Sequence, residues 1–286
     1  MREKALTFGP ANLVGILTEP DPDVAVPDAP VVVILNSGIM HRAGASRLYV
    51  QVARGLAEDG FSSLRFDFSG IGDSEVRRDS IPIEQRFTLE TREAMDYLET
   101  VTGSDRFIVG GLCSGADGAF WAGLDDERVV GIWQIDGFCY KTLGYQIRRY
   151  GPKLLNPKAW VHSVRVRLTK SSESEAEETG DVFVKPEYRR VFPPKEVVGE
   201  GLGALLERGV GLYFFFTGGL EEYGYANQHE ETFPELDLGS RAHVFHIGEA
   251  THLVSDLAHQ AAFLTDLRSW AARFKPATNP SVITVS

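Results

Sequence analysis

A cysteine with a glycine two places to either side, Gly111-Leu112-Cys113-Ser114-Gly115, stands between a short apolar run and a stretch of small residues. That spacing suits a nucleophile perched on a sharp strand-to-helix turn, where side chains two places away would collide. The register puts Cys113 at the apex. With Ser114 there, the flanking positions would be Leu112 and Ala116, and leucine is too large. At the start of a helix the N–H dipoles favour a thiolate, the reactive form of cysteine. The chemistry is nucleophilic attack on an acyl carbonyl. The competing structural reading is an inert buried thiol beside a tight turn.

Such a nucleophile needs a base, and the usual chain order is nucleophile, acid, then histidine. His252 lies in Gly248-Glu249-Ala250-Thr251-His252, directly after the last strand pattern. For the acid that orients it, Glu221 is the first choice, in the loop Thr217-Gly218-Gly219-Leu220-Glu221-Glu222. Glu222 is its neighbour, and Asp136, ending the strand pattern at Gln134-Ile135, is a rival. An oxyanion site needs two backbone N–H donors. Ser114 would give one, and Ile39 the other, with Gly38 as the adjacent option. His41 and Arg42 would face the pocket mouth and hold a substrate carboxylate or carbonyl, with a surface role as the alternative.

These residues need a rigid scaffold. Val31–Leu35, Phe61–Phe68, Arg106–Val109, Val129–Ile135, Gly211–Phe216 and Ala242–Ile247 read as strands. The continuous apolarity of Val31–Leu35 suits a parallel strand buried on both faces. Helical patterns run between them, with Leu48, Val52 and Leu56 on one face of the first, then Glu84–Thr102 and Asp256–Phe274, for which Ser255 would be the N-cap. Alternating strands and helices predict an α/β fold, a mostly parallel sheet with helices on both faces. A short strand pair, Ala5–Phe8 and Asn12–Thr18, precedes it. The alternation breaks over 137–204, which reads as an inserted lid between core segments 1–136 and 205–286.

The lid is polarised. Lys141–Lys170 holds eight basic residues and no acid, whereas Ser171–Asp181 holds five acids and no base. Either the two halves neutralise each other, or the basic half steers an acidic partner such as an acyl-carrier protein. The aromatic residues Phe138, Tyr140, Tyr145, Tyr150 and Trp160 suit an acyl pocket or a lid core equally. Cys139 reads as packing. With 286 residues, 43% hydrophobic and a net charge of −11, the chain is neither disordered nor a general nucleic-acid binder. The apolar runs are too short for a membrane helix and the first residues show no signal-peptide pattern, so a cytoplasmic protein is expected. Two cysteines make no disulfide framework. No metal cluster, phosphate loop or dinucleotide fingerprint is visible, so no cofactor is expected. The oligomeric state is open, a homodimer included.

These residues together resemble the α/β-hydrolase superfamily over about residues 5–136 and 205–275. Gly70-Ile71-Gly72-Asp73-Ser74 after Arg65-Phe66-Asp67 is similar to that superfamily's turn after its fourth strand. Asn36 through Ser74, with His41-Arg42-Ala43-Gly44, resembles the hydrolases associated with exosortase systems and the serine-aminopeptidase-like branch. The resemblance implies ester, thioester or amide cleavage without a cofactor. Cysteine at the apex departs from those families and resembles the dienelactone hydrolases. It leans the expectation toward acyl transfer, thioester exchange or elimination over simple amide hydrolysis. The leading expectation is an acyl hydrolase or acyltransferase on a small-molecule ester or thioester, carrier-bound as in secondary metabolism. A lyase using the same histidine and oxyanion site is a second reading, and a non-catalytic binding module a third.

Overall fold

The computed structural model describes residues 1–154 and 190–276. Its strands are β1 (Arg2–Phe8), β2 (Leu13–Glu19), β3 (Val31–Leu35), β4 (Ser63–Phe66), β5 (Phe107–Leu112), β6 (Val129–Ile135), β7 (Gly211–Thr217) and β8 (Ala242–Ile247). They form one sheet in the order β1-β2-β4-β3-β5-β6-β7-β8. β1 and β2 make an antiparallel hairpin that joins β4 antiparallel. Every pairing from β4 to β8 is parallel. The C-terminal ends of β3, β5, β6, β7 and β8 therefore open toward one edge, where a parallel sheet gathers its functional loops.

The helices are α1 (Leu48–Glu58), α2 (Ile83–Thr102), α3 (Ser114–Asp125), α4 (Leu143–Leu154), α5 (Lys195–Glu207), α6 (Gln228–Thr232), α7 (Leu238–Arg241) and α8 (Leu257–Ala271). One sheet face is covered by α1 and α8, through Leu48, Val52 and Leu56 beside Phe263, Leu267 and Trp270. The other is covered by α2, α3 and α5, through Met95, Leu98, Phe120, Val198 and Leu202. All five residues of β3 are buried, as strands sandwiched between two helical layers must be. The N-cap of α8 is Asp256 and not Ser255. Its carboxylate accepts from the backbone N–H groups of Ala258 and His259, while the Ser255 hydroxyl pairs with that of Thr251 at 3.1 Å.

Most of the expected lid, residues 155–189, lies outside the described residues, and with it Trp160, Lys158, Arg165, Arg167, Lys170 and the whole acidic stretch. The parts that flank it are partly core. Phe138 and Tyr145 are buried, and Phe138 packs edge-on against Phe120 of α3. α5 starts at Lys195, ahead of the boundary expected at 205, and buries Val198 and Leu202. Its contact with α3 is close because residue 201 is glycine, where a Cβ would stand 2.4 Å from Phe120 Cζ.

A matched pair of substitutions tests whether α5 belongs to the core. Gly201→Ala should destabilise the protein by about 1–3 kcal/mol through overpacking. At Gly203 an added Cβ meets only Leu236 Cδ2 at 3.6 Å, so Gly203→Ala should instead gain up to about 1 kcal/mol of helix propensity. Urea titration of both variants reads the difference.

Candidate active site

The turn between β5 and α3 is as tight as the glycine spacing requires. A Cβ on Gly111 would stand 2.8 Å from Leu35 O, and one on Gly115 would stand 2.7 Å from both Leu35 O and Asn36 O. The two glycines thus press against each other and against the end of β3. Cys113 between them has φ 57° and ψ −118°, a conformation costly for a residue with a Cβ. Behind the turn, the buried Tyr49 hydroxyl of α1 accepts a hydrogen bond from the Leu112 N–H at 2.8 Å. Cys113 is partly exposed, with its Sγ at the head of α3.

His252 is brought to Cys113 by the loop after β8. That loop runs directly over the glycine pair after β7. A Cβ on Gly219 would fall 2.2 Å from His252 N, and one on Gly218 would fall 1.8 Å from Gly248 O. Val254, two residues past His252, is β-branched yet sits at φ 48°. Its carbonyl accepts from the buried Gln260 Nε2 at 2.8 Å, which secures the bend.

The carboxylate against His252 is that of Asp136, the residue directly after β6. His252 Nδ1 donates to Asp136 Oδ2 at 2.6 Å. Asp136 is fully buried and has φ 50°. Thr217 at the end of β7 holds it, donating from its N–H to Oδ1 and from its hydroxyl to Oδ2, each at 2.7 Å. Glu221, the sequence's first choice, stands elsewhere. Its side chain is 71% exposed and lies 3.7 Å from Lys141 Nζ, which also reaches Glu222 at 3.8 Å. The glycines ahead of it are the reason. They mark where the His252 backbone crosses β7, so the chain turns outward before a carboxylate can point at the ring.

The electrostatics couple the two reactive groups. His252 is pushed up to about 9, first by its bond to Asp136 and then by Cys113. Burial raises the Cys113 thiol, but the His252 hydrogen bond and the Arg190 charge outweigh it, and the net shift is downward. Both shifts run in the direction that favours a thiolate beside an imidazolium, with Nδ1 on Asp136 and Nε2 left for the sulfur. Cys139 contrasts with it, because burial drives that thiol well up.

At the oxyanion position, Ser114 is the first residue of α3, where an N–H has no intrahelical acceptor. The loop after β3 is tied to it, since the Gly38 N–H donates to Ser114 Oγ at 2.6 Å. Ile39 sits in the same turn with its side chain 92% exposed. Arg42 does not face the pocket mouth. It is buried, paired with Asp67, and reaches Asp73 Oδ2 at 2.8 Å. Asp67 also accepts from Arg42 N at 2.6 Å and from Asn36 Nδ2 at 3.2 Å. Arg42 thus locks the loop after β3 to the turn after β4. His41 is half-exposed beside the same two acids, 3.7 Å from Asp67 and 3.6 Å from Asp73.

A cavity of about 490 Å³ opens over Cys113 and His252, lined also by Arg190, Phe192, Leu220, Glu221 and Glu222, so Glu221 borders the site although it does not hold His252. Arg190 and Phe192 went unnoticed in the sequence because they lie within the stretch read as an inserted lid and carry no motif. Asp117, which pairs with Arg190, had a weak signal in its place one turn past the cysteine.

No protein-family model matches the chain, and no curated protein matches it. Solved structures do. An α/β serine hydrolase without a lid from Xanthomonas campestris superposes with a TM-score of 0.57 at 17% identity, covering 98% of each chain. The Pf2001 esterase of Pyrococcus furiosus gives a TM-score of 0.62 at 15% identity, over 96% of this chain and 92% of that one. The α/β hydrolase GrgF of Penicillium sp. sh18 gives 0.54 at 14% identity, over 96% of this chain and 99% of that one. Sheet order, nucleophile turn and these likenesses agree that this chain has the α/β-hydrolase fold.

Proposed function

We propose that the protein is a cysteine-dependent acyl hydrolase or acyltransferase acting on an ester or thioester. The observation that carries this reading is the chain of contacts from Asp136 through His252 to Cys113, set at the floor of an open cavity. Cys113 Sγ attacks the substrate carbonyl, and the carbonyl electrons move onto oxygen. The N–H groups of Ser114 and Ile39 hold that oxyanion, the Gly38 N–H being bonded to Ser114 Oγ. The tetrahedral intermediate collapses, the bond to the alcohol or thiol leaving group breaks, and His252 Nε2 gives that group its proton. The acyl group is then a thioester on Cys113. Water or another acceptor attacks it, loses its proton to His252, and releases the acid or the transferred product. Asp136 keeps the ring in the orientation that aims Nε2 at sulfur and stabilises its positive charge.

An activated acyl group matches a sulfur nucleophile, because a thiolate needs less help from a base than a hydroxyl does. The one feature that favours a partner-bound substrate, such as an acyl group on an acidic carrier protein, is the run of basic residues over 141–170 in the sequence, part of which is engaged within the chain. Among its basic residues, Lys141 pairs with Glu221 and Glu222, and Arg148 lies 3.8 Å above the Tyr225 ring.

Incubation with an acyl thioester probe, read by mass spectrometry, should give an adduct on Cys113 that Cys113→Ala lacks. An unlabelled Cys113 would remove the reading. Solvent oxygen from labelled water should enter the acid product; its absence, with an unsaturated product, would mark elimination instead.

Two further outcomes are expected. Asp136→Asn should lower kcat/KM by about 10²-fold or more, as loss of an imidazole-orienting carboxylate does. Glu221→Gln should stay within about twofold, since that ion pair is exposed. The rate should also be bell-shaped in pH. It rises as the thiol ionises, below the ordinary cysteine value, and falls as His252 loses its proton near pH 9.

A further inference from the structure

Arg190 makes three hydrogen bonds that converge on the reactive groups. Its Nε donates to Asp117 Oδ2 at 2.7 Å, and its Nη2 donates to Asp117 Oδ1. Its Nη1 donates to the Asp136 carbonyl oxygen at 2.8 Å. Asp117 sits in the first turn of α3, and its N–H bonds back to Cys113 O at 3.0 Å. One guanidinium therefore spans the helix that begins at the nucleophile and the strand end that carries the acid. Both ends are at strained positions, Cys113 and Asp136, each with positive φ. The clamp is itself fixed, because the guanidinium lies 4.7 Å from the Phe192 ring and 5.7 Å from that of Phe138. With 13% of its side chain exposed, Arg190 is desolvated enough for its charge to act on the cavity it lines.

We propose that Arg190 is a positioning residue for the nucleophile, holding the head of α3 and the Asp136 backbone in register and keeping a positive charge beside the Cys113 sulfur. The proposal rests on the reading of Cys113 as a reactive thiolate. A planar fork can bind a carboxylate through two N–H groups and still reach a carbonyl with a third, which lysine cannot do. Asp117 then has a defined part. Its negative charge opposes the thiolate, and Arg190 offsets it. The charged and titratable groups around Cys113 are His252 with Asp136 behind it, Arg190, Asp117, Tyr49 behind the turn, and Glu221 and Glu222 across the cavity. Removing Arg190 both takes away a cation and leaves Asp117 unopposed. Arg190 thereby ties the C-terminal part of the 137–204 insertion to the proposed reactive centre.

The test is the pH profile of Cys113 alkylation by iodoacetamide, followed by mass spectrometry on the full chain. Cys139 is buried and serves as the internal unreactive thiol. In the wild type the midpoint should lie below that of an ordinary thiol. Arg190→Met should move it upward by about one unit, reading as roughly tenfold slower alkylation on the acid side. Arg190→Lys should recover most of that rate, because the charge returns without the fork. Asp117→Asn should move the midpoint the other way, and it decides the matter should Arg190→Met fail to fold. A midpoint unchanged in Arg190→Met, or in Asp117→Asn when only that variant folds, overturns the proposal while leaving Cys113 reactive. A wild-type Cys113 that alkylates like an ordinary thiol overturns this inference and the proposed function together. A purely structural role for Arg190 would lower stability without moving the profile.

Discussion

Everything at this site depends on how closely the β5–α3 turn approaches the end of β3. Gly111 and Gly115 leave no room for a Cβ against the Leu35 and Asn36 carbonyl oxygens. That closeness bends the chain so sharply that Cys113 must adopt positive φ. The bend lifts the sulfur clear of the sheet and sets it at the head of a helix. A larger residue at either glycine would flatten the turn and drop the sulfur into the layer below. The proposed reactivity of the thiol rests on that position, where a helix start, an imidazole and a guanidinium all favour the ionised form.

Strain is distributed across the site and held by specific partners. Cys113, Asp136 and Val254 all have positive φ, and each is a member of the candidate site or lies within two residues of one. Such positions cost about 1–3 kcal/mol each and persist where surrounding contacts over-determine them. The contacts are visible here. Tyr49 holds the backbone just before Cys113, Thr217 makes two bonds to the Asp136 carboxylate, and Gln260 fastens the carbonyl of Val254. All three holders come from the rigid layers. The geometry of the reactive groups is thus set by the helices and strands rather than by the loops that carry them.

Some of this was legible in the residues and some was not. The strands at Val31–Leu35 and Val129–Ile135 have the bounds their apolar runs suggest, because buried parallel strands are written as near-continuous hydrophobic stretches. The glycine spacing at the turn placed Cys113 at the apex, since steric exclusion leaves a direct mark on sequence. The partner of His252 was harder. Asp136, Glu221 and Glu222 all follow strands, and only three-dimensional crossing decides among them. The pair Gly218-Gly219 looked like a turn presenting Glu221, but it is the gap through which the His252 loop passes. Arg42 looked exposed beside His41 in a polar loop, yet Asp67 draws it inward. Arg190 had no local signature, because its partners lie 73 and 54 residues away in the chain.

The central claim is that the sulfur and the imidazole share one proton, with the charge separated at rest. Nitrogen-15 NMR of the His252 ring reports this without any substrate. The account predicts imidazolium shifts persisting into mildly alkaline solution, with both nitrogens protonated until about pH 9. It predicts that Cys113→Ala lowers that titration point, because the thiolate that sustains the charge is gone. A wild-type ring that titrates near the ordinary histidine value, indifferent to Cys113, would contradict the account.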